Sequence, residues 1–274
     1  MRGFFLRAAL AALVFIAPSA VLAACRADAL GTARAIGVGG PGAVGLKSYP
    51  RTLALADKEL ALTFDDGPLP GPTTRVLDAL AAECVKATFF VIGRNAAANA
   101  QLVRRQIAEG HTVANHTYSH PAATLRGLSD AAARADIERG AAAIAAAGGG
   151  RTPFFRFPGF ADTPALVEWL GARGDLVFGA DLWASDWAPM SPQAQLSLVL
   201  GRIERARKGI VLFHDTREQT AAMLPALLRE LKARGYRIVH LTPGWGATTT
   251  AAGPGWRSDT DRLIAGLRRG AGLR

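Results

Sequence analysis

The chain has 274 residues, of which 50% are hydrophobic and 20% charged, so it can bury a full hydrophobic core and is not disordered over most of its length. The size fits one large α/β domain or two small ones, and we favour one. The net charge is +10, but the arginines are spread along helical faces without interleaved aromatic residues. This pattern argues against a nucleic-acid-binding protein. It favours a protein that binds an anionic envelope or polysaccharide surface, or one whose basic surface has no specific partner.

Residues 1–24 have the pattern of an export signal. Arg2 and Arg7 give the segment a positive start, an uncharged apolar stretch follows, and small residues end it. The stretch is short for a transmembrane helix, which is the alternative interpretation, and no later segment is comparable. We therefore expect a periplasmic or secreted protein whose mature chain has no transmembrane span.

The two cysteines have two interpretations. Leu22-Ala-Ala-Cys25 is similar to a bacterial lipoprotein cleavage box, which would place a lipid anchor on Cys25. Alternatively, Cys25 pairs with Cys84, because exported proteins with an even number of cysteines commonly form disulfides. We favour the Cys25–Cys84 disulfide, which would attach the mature N-terminus to the domain.

The rest of the chain divides into three parts. Residues 25–59 have few periodic apolar positions and predict an extended lead-in, whereas residues 246–274 predict a basic C-terminal tail. Between them, in 60–245, β-rich runs alternate with amphipathic helical stretches. Strands are predicted at 60–66, 87–93, 111–116, 154–157, 176–181, 209–214 and 236–241. Helices are predicted at 73–83, 97–109, 130–147, 163–173, 192–208 and 217–234.

This alternation predicts an α/β fold in which helices cover a parallel sheet, either closed into a barrel or open and doubly wound. Polar residues favour the barrel, because they fall at the carboxyl ends of separate predicted strands. These residues are Asp65, Asp66, His116, Arg156 and His214. In a barrel the strand ends converge on one face, so several segments can surround one site. We therefore predict a distorted (β/α) barrel with its active site at the C-terminal ends of the strands.

Two polar clusters predict a metal site with a spare carboxylate. Asp65 and Asp66 end an apolar run, and His116 and His120 follow later in the chain. Two imidazoles four residues apart can bind one cation if the chain makes a single helical turn between them. One carboxylate completes a three-ligand set of the catalytic kind, and the other carboxylate is then free to act as a base.

Five ordered segments resemble the motifs of the polysaccharide deacetylase family, the NodB-homology domain. They are Thr63-Phe-Asp-Asp-Gly-Pro68, His116-Thr-Tyr-Ser-His120, Arg156-Phe-Pro158, Asp186-Trp187 and Leu212-Phe-His214. Each motif alone is weak, but the five in order are specific. The resemblance implies a barrel of seven to eight parallel strands. It also implies metal-dependent removal of acetyl groups from N-acetylated, sometimes O-acetylated, sugars, as in chitooligosaccharides, peptidoglycan or exopolysaccharide.

The same resemblance implies a metal ion bound by Asp66, His116 and His120. Two histidines and one carboxylate suit Zn²⁺, and similar sets also accept Co²⁺ or Ni²⁺. Such a metal lowers the pKa of bound water and polarises the acetyl carbonyl. Asp65 would then be the general base that takes the proton of the water, and His214 would protonate the departing amine.

The resemblance also assigns supporting residues. Arg156 would orient the base, and Asp186 would orient His214 and support its charged form. The acetyl pocket would be lined by Trp187, Leu212, Pro158 and Gly159. Together with the metal ligands, the base and the acid, these residues would form one hydrolytic site.

One motif departs from the family pattern. The third motif usually reads Arg-Pro-Pro followed by an aromatic residue and Gly, whereas this chain has Arg156-Phe-Pro-Gly-Phe160. The N–H of Gly159, which occupies the aromatic position, can still stabilise an oxyanion, but the groove wall changes shape. Substrate choice is therefore the property that transfers least from the family to this chain.

Two other functions remain open. The same fold could hydrolyse another non-peptide C–N bond, such as that of a cyclic imide or ureide. A carbohydrate-binding protein without catalysis is the second alternative. It is less favoured because the base, the acid and all three metal ligands are present in the chain.

Overall fold

The computed structural model describes residues 25–244, 248–253, 255–260 and 262, so the predicted export signal and part of the predicted tail lie outside it. The strands are Thr32–Val38 (β1), Gly42–Val44 (β2), Arg51–Leu53 (β3), Glu59–Asp65 (β4), Thr88–Val91 (β5), Thr112–Asn115 (β6), Phe154–Phe155 (β7), Leu176–Phe178 (β8), Leu182–Trp183 (β9), Gly209–His214 (β10), Arg237–Pro243 (β11) and Thr250–Ala252 (β12). The helices are Pro72–Ala82 (α1), Gly93–Ala98 (α2), Ala100–Ala108 (α3), Asp130–Ala146 (α4), Pro164–Ala172 (α5), Pro192–Ala206 (α6) and Glu218–Ala233 (α7). Short 3₁₀ turns occur at Leu125–Gly127 and Pro158–Phe160.

Ten strands form one sheet, and every pair within it is parallel. The order across the sheet is β2-β8-β7-β6-β5-β4-β10-β9, and β11 lies beside the start of β4 with β1 on its far side. The predicted α/β fold with a parallel sheet is confirmed. All seven predicted strands are present, as β4 to β8, β10 and β11.

The lead-in adds strands that the sequence pattern does not predict. β1 pairs with β11 and β2 pairs with β8, whereas β3 forms a separate antiparallel pair with β12. β1 has one paired neighbour and several exposed positions, so it lacks the apolar pattern of a buried strand. A disulfide between Cys25 and Cys84 joins the start of the lead-in to the end of α1. Among the described residues, no helix has the length and hydropathy of a membrane span.

β4 lies at the centre of the hydrophobic core. All seven of its residues are buried. Leu60, Leu62 and Phe64 pack in a cluster with the apolar faces of α1, α6 and α7, whereas Ala61 belongs to a second cluster with Phe90 and other strand residues. Because both faces of β4 are covered, its apolar residues 60–62 follow one another without alternating with polar ones.

The strand register sets which polar residues become neighbours. β10 pairs with β4 from Gly209 opposite Leu60 to His214 opposite Asp65, and β6 pairs with β7 at Asn115 opposite Phe155. The residues that follow these strands therefore meet at their carboxyl ends.

Candidate active site

Two carboxylates lie at the end of the central strand. Asp65 is the last residue of β4, and Asp66 follows it with φ 77°, a left-handed conformation that few non-glycine residues adopt. Consecutive residues of a regular strand point to opposite faces of the sheet. The turn at Asp66 ends this alternation, and both carboxylates line one cleft.

Two histidines come from the loop that follows β6. Nε2 of His116 and Nε2 of His120 each lie 3.5 Å from Oδ1 of Asp66. The chain between the histidines is not a helical turn, since Thr117 and His120 have φ values of 68° and 46°. Instead, the N–H of His120 donates a 3.0 Å hydrogen bond to Oγ1 of Thr117. This bend, and not the helical turn that the spacing suggests, brings both rings to Asp66.

These three side chains fit a divalent metal ion, and their ligand atoms lie within 4.8 Å of one another. Oδ1 of Asp66 is buried and has no hydrogen-bond partner. Nδ1 of His116 lies 2.8 Å from the carbonyl oxygen of Arg156 and donates to it, so the lone pair of Nε2 in the neutral ring is left for a cation. A metal ion between Oδ1 and the two Nε2 atoms would satisfy all three acceptors.

The charge states of the ligands favour the same interpretation. Burial raises the pKa of Asp66, but the adjacent His116 and the charges of the nearby histidines hold that pKa well below its usual range. Burial lowers the pKa of His120, and the neighbouring His116 lowers it further. An ionised carboxylate and a neutral imidazole are the forms that bind a metal ion.

Asp65 is paired with a fully buried arginine. The side chain of Arg156, which follows β7, donates to Oδ1 of Asp65 at 2.7 Å and to Oγ1 of Thr63 at 2.9 Å. Its second terminal nitrogen donates to the carbonyl oxygen of Gly179 at 2.8 Å. Burial lowers the pKa of Arg156, and the charge of Asp65 opposes this effect. Arg156 therefore occupies Oδ1 of Asp65. Oδ2 is left free beside the candidate metal ligands, 3.9 Å from Nε2 of His116.

His214 is held by a second buried carboxylate. Its Nδ1 lies 2.7 Å from Oδ1 of Asp186, and its backbone N–H donates to Oδ2 of the same carboxylate at 2.7 Å. Burial by itself lowers the pKa of His214, but the hydrogen bond and charge of Asp186, together with the other carboxylates nearby, raise it to about 9. The ring is therefore protonated at neutral pH, with Nε2 3.9 Å from Oδ2 of Asp66.

The cleft around these groups has a volume of about 320 Å³. Trp187, Leu212 and Gly159 line it, as do the unpredicted Phe157, Phe160 and Arg217. Trp187 is 43% exposed, and its ring stands perpendicular to that of His214. Pro158 is buried at the start of its 3₁₀ turn and is not among the lining residues, whereas Gly159 and Phe160 turn toward the cleft with positive φ.

Two further side chains support the site without having been predicted. Thr63 accepts a hydrogen bond from Arg156 and donates one to the carbonyl oxygen of Val211. Thr220 donates to Oδ2 of Asp186 at 2.7 Å. Thr63 could have been inferred, because it lies two residues before Asp65 and so shares its strand face. Thr220 lies in α7, and no local pattern connects it to Asp186.

Known proteins similar to this chain identify its family. A family model described as polysaccharide deacetylase matches residues 53–170. A chitooligosaccharide deacetylase of Rhizobium leguminosarum bv. trifolii is 35% identical over 200 residues, which cover 68% of this chain and 91% of the relative. This chain belongs to the polysaccharide deacetylase family. The resemblance carried by the five motifs is therefore confirmed.

Two further polysaccharide deacetylase relatives differ from this chain in length. The peptidoglycan-N-acetylglucosamine deacetylase PgdA of Listeria monocytogenes is 33% identical over 207 residues, which cover 75% of this chain and 42% of the relative. This chain thus spans less than half the length of that protein. The solved structure of the Bdellovibrio bacteriovorus peptidoglycan deacetylase Bd3279 matches with a TM-score of 0.66 and 31% identity, covering 76% of this chain and 60% of that chain.

Proposed function

We propose that this protein is a metal-dependent hydrolase that removes acetyl groups from N-acetylated carbohydrates. The observation that carries the proposal is the buried Oδ1 of Asp66, which lacks a hydrogen-bond partner and lies 3.5 Å from the Nε2 atoms of both His116 and His120. The Asp65–Arg156 and His214–Asp186 pairs adjoin this position. A metal position flanked by an oriented base and an oriented acid provides what amide hydrolysis requires.

Each group has a role in this reaction. Asp66, His116 and His120 would hold a divalent metal ion, Zn²⁺ being the first candidate, which would polarise the acetyl carbonyl and lower the pKa of a water molecule. Asp65 takes the proton of the attacking water through Oδ2, because Arg156 occupies Oδ1.

The remaining groups act on the acetyl oxygen and the leaving group. Protonated His214 gives its Nε2 proton to the nitrogen of the departing sugar amine while Asp186 holds Nδ1. The backbone N–H of Gly159 donates to the acetyl oxygen as that oxygen gains negative charge. The side chains of Trp187 and Leu212, which line the cleft, enclose the acetyl group.

The substrate is an acetylated glycan outside the cytoplasm, with chitooligosaccharides, peptidoglycan and exopolysaccharide as candidates. The export-signal pattern of residues 1–24 supports this location, as do the names of the chitooligosaccharide and peptidoglycan deacetylases to which the chain is similar. The Cys25–Cys84 disulfide also suits an oxidising compartment and leaves no thiol at Cys25 for a lipid anchor.

Acetate release from metal-stripped protein, with and without added Zn²⁺, tests the proposed reaction. The substrates are N-acetylglucosamine oligomers, peptidoglycan fragments and an acetylated exopolysaccharide. We expect zinc-dependent acetate from at least one of them. If the metal binds but no substrate releases acetate, hydrolysis of another C–N bond becomes the better proposal. Metal-independent glycan affinity without acetate release would favour a carbohydrate-binding protein.

Replacing Asp186 with asparagine will move the basic limb of the kcat/KM profile to lower pH by about one unit or more. The sign follows from the cause of the raised pKa: the hydrogen bond and charge of Asp186 stabilise the protonated form of His214, and the variant loses that charge. The pH dependence of acetate release by the zinc-loaded enzyme measures the shift. If the basic limb of the kcat/KM profile of Asp186→Asn stays where it is in the wild type, His214 is ruled out as the general acid.

A further inference from the structure

A second pocket, of about 510 Å³, adjoins the active-site cleft. Trp183 at the end of β9 forms part of the wall of both spaces. The second pocket is lined by three basic residues, Lys47 from the loop after β2, and Arg202 and Arg205 from α6. We call it the basic pocket. A polymer that extends past Trp183 would leave the cleft and enter the basic pocket.

The two arginines of the basic pocket have no acidic partner among the described residues. Arg202 donates to the carbonyl oxygen of Trp183 and to Oγ of Ser185, both uncharged acceptors. Arg205 is exposed and makes no hydrogen bond or ion pair in the same part of the chain. The two cations lie three residues apart on one helix, a spacing at which like charges repel. Burial lowers the pKa of Arg202, and the positive charge of Arg205 lowers it further, because no acidic side chain in the described part of the chain offsets that charge.

The acidic residues nearby do not neutralise the two arginines. Asp181 lies in the wall of the basic pocket, but its oxygens accept hydrogen bonds from the backbone N–H groups of Leu46 and Ile210 and from Oγ1 of Thr52. Asp259 forms an ion pair with Lys47 and with no other residue of the pocket. The pocket therefore retains an excess of positive charge.

Trp183 separates the cleft from the basic pocket and holds Lys47 in place. The Lys47 ammonium lies 5.1 Å from the centre of the Trp183 ring, and Phe160 is stacked against the same ring. Nε1 of Trp183 is buried and has no hydrogen-bond acceptor. A donor without an acceptor, on a ring that lines the same pocket as two arginines without acidic partners, indicates a place for a ligand that carries oxygen acceptors.

We propose that the basic pocket binds a carboxylate of the glycan, on a sugar close to the one whose acetyl group is removed. This rests on the proposed deacetylase function and narrows it to acidic glycans. A guanidinium fork matches a carboxylate in shape and charge. Two sources of the carboxylate fit equally: the lactyl group of peptidoglycan strands from which the peptides have been removed, and the uronic acid of an acidic exopolysaccharide.

The test compares Arg205→Gln with Arg229→Gln. Arg229 is an exposed arginine of α7 that lines neither the cleft nor the basic pocket, so it controls for the loss of one positive charge. Each protein is loaded with zinc and assayed on neutral N-acetylglucosamine hexamer, on peptide-free peptidoglycan glycan strands and on an acetylated glycan that contains uronic acid. Lys47→Gln serves as a second pocket variant, and thermal unfolding confirms that all of them are folded.

We expect Arg205→Gln to lower the ratio of kcat/KM on an acidic glycan to that on the neutral hexamer by about tenfold, mainly through KM. Arg229→Gln should leave this ratio as in the wild type. The wild-type preference for the acidic glycan should also weaken as ionic strength rises. Whichever acidic glycan shows the effect identifies the source of the carboxylate. The proposal is overturned if Arg205→Gln changes no ratio, or changes it no more than Arg229→Gln does.

A binding measurement separates failure of the pocket from failure of the deacetylase function. If the wild type releases acetate from none of the three glycans, their affinities are measured by titration calorimetry. Weaker binding of an acidic glycan to Arg205→Gln than to Arg229→Gln would support the basic pocket while the reaction is rejected. Equal affinities would reject the pocket as well.

Discussion

Replacing Asp65 with asparagine will reduce kcat for acetate release by about a thousandfold, because the variant has no carboxylate to take the proton of the attacking water. Asp66, His116 and His120 are unchanged, so the variant should still bind one equivalent of zinc. Turnover is measured with the best substrate of the glycan panel, and bound metal is measured by elemental analysis.

Two variants complete the Asp65 experiment. Asp66→Asn should lose both turnover and zinc, because it alters a ligand and leaves the base intact. Asp162→Asn should retain both, because Asp162 accepts hydrogen bonds from Tyr49 and Arg126 and does not line the cleft. Near-normal turnover in zinc-loaded Asp65→Asn would exclude Asp65 as the general base.

Replacing Arg156 with methionine will lower the free energy of unfolding at neutral pH by about 3–5 kcal/mol, because it leaves a buried carboxylate without its counter-charge. Arg156 has no exposed surface and Asp65 is 3% exposed, so water cannot replace the lost guanidinium. Turnover should fall as well, since Oδ1 of Asp65 loses the group that orients it. Urea unfolding measures the first effect, and acetate release at saturating zinc measures the second.

A double-mutant cycle tests whether the buried charge is the cause. The variant that combines Asp65→Asn with Arg156→Met should lose less stability than the sum of the two single variants, because both charges are removed together. Arg126→Met serves as the control, since its partly exposed pair with Asp162 should contribute only about 0–1 kcal/mol. Additive losses in the cycle would mean that Arg156 stabilises the protein through packing, for example against the Phe90 ring 4.1 Å away.

The strands that could be predicted from sequence are the buried ones. β4 and β10 contain uninterrupted apolar runs, at residues 60–62 and 210–213, because their neighbours cover them on both faces. β1 and β2 lie toward the edges of the sheet and have mixed exposure, so their pattern resembles that of a loop. Their place in the sheet depends on pairing with β11 and β8, which are distant in the chain.

In the candidate site, too, some features could be predicted from the sequence and others could not. Asp65, Asp66, His116 and His120 could be found from the sequence, because few side chains can bind a metal ion or accept a proton and these occur in short motifs. Their geometry could not be found, since it depends on the positive φ of Asp66 and on a bend at Thr117 where a helical turn was expected. Pro158 shows the same limit, because its motif position does not place it on the cleft wall.

The sequence by itself determined the α/β class, the family and the candidate metal, base and acid residues, because each depends on residue types and their order along the chain. Only the tertiary structure decided which oxygen of Asp65 is free, that Oδ1 of Asp66 lacks a partner, and that Lys47 and Arg205 line one pocket. These properties are distances and burials among residues far apart in the sequence, and chain folding sets them through strand register and loop conformation.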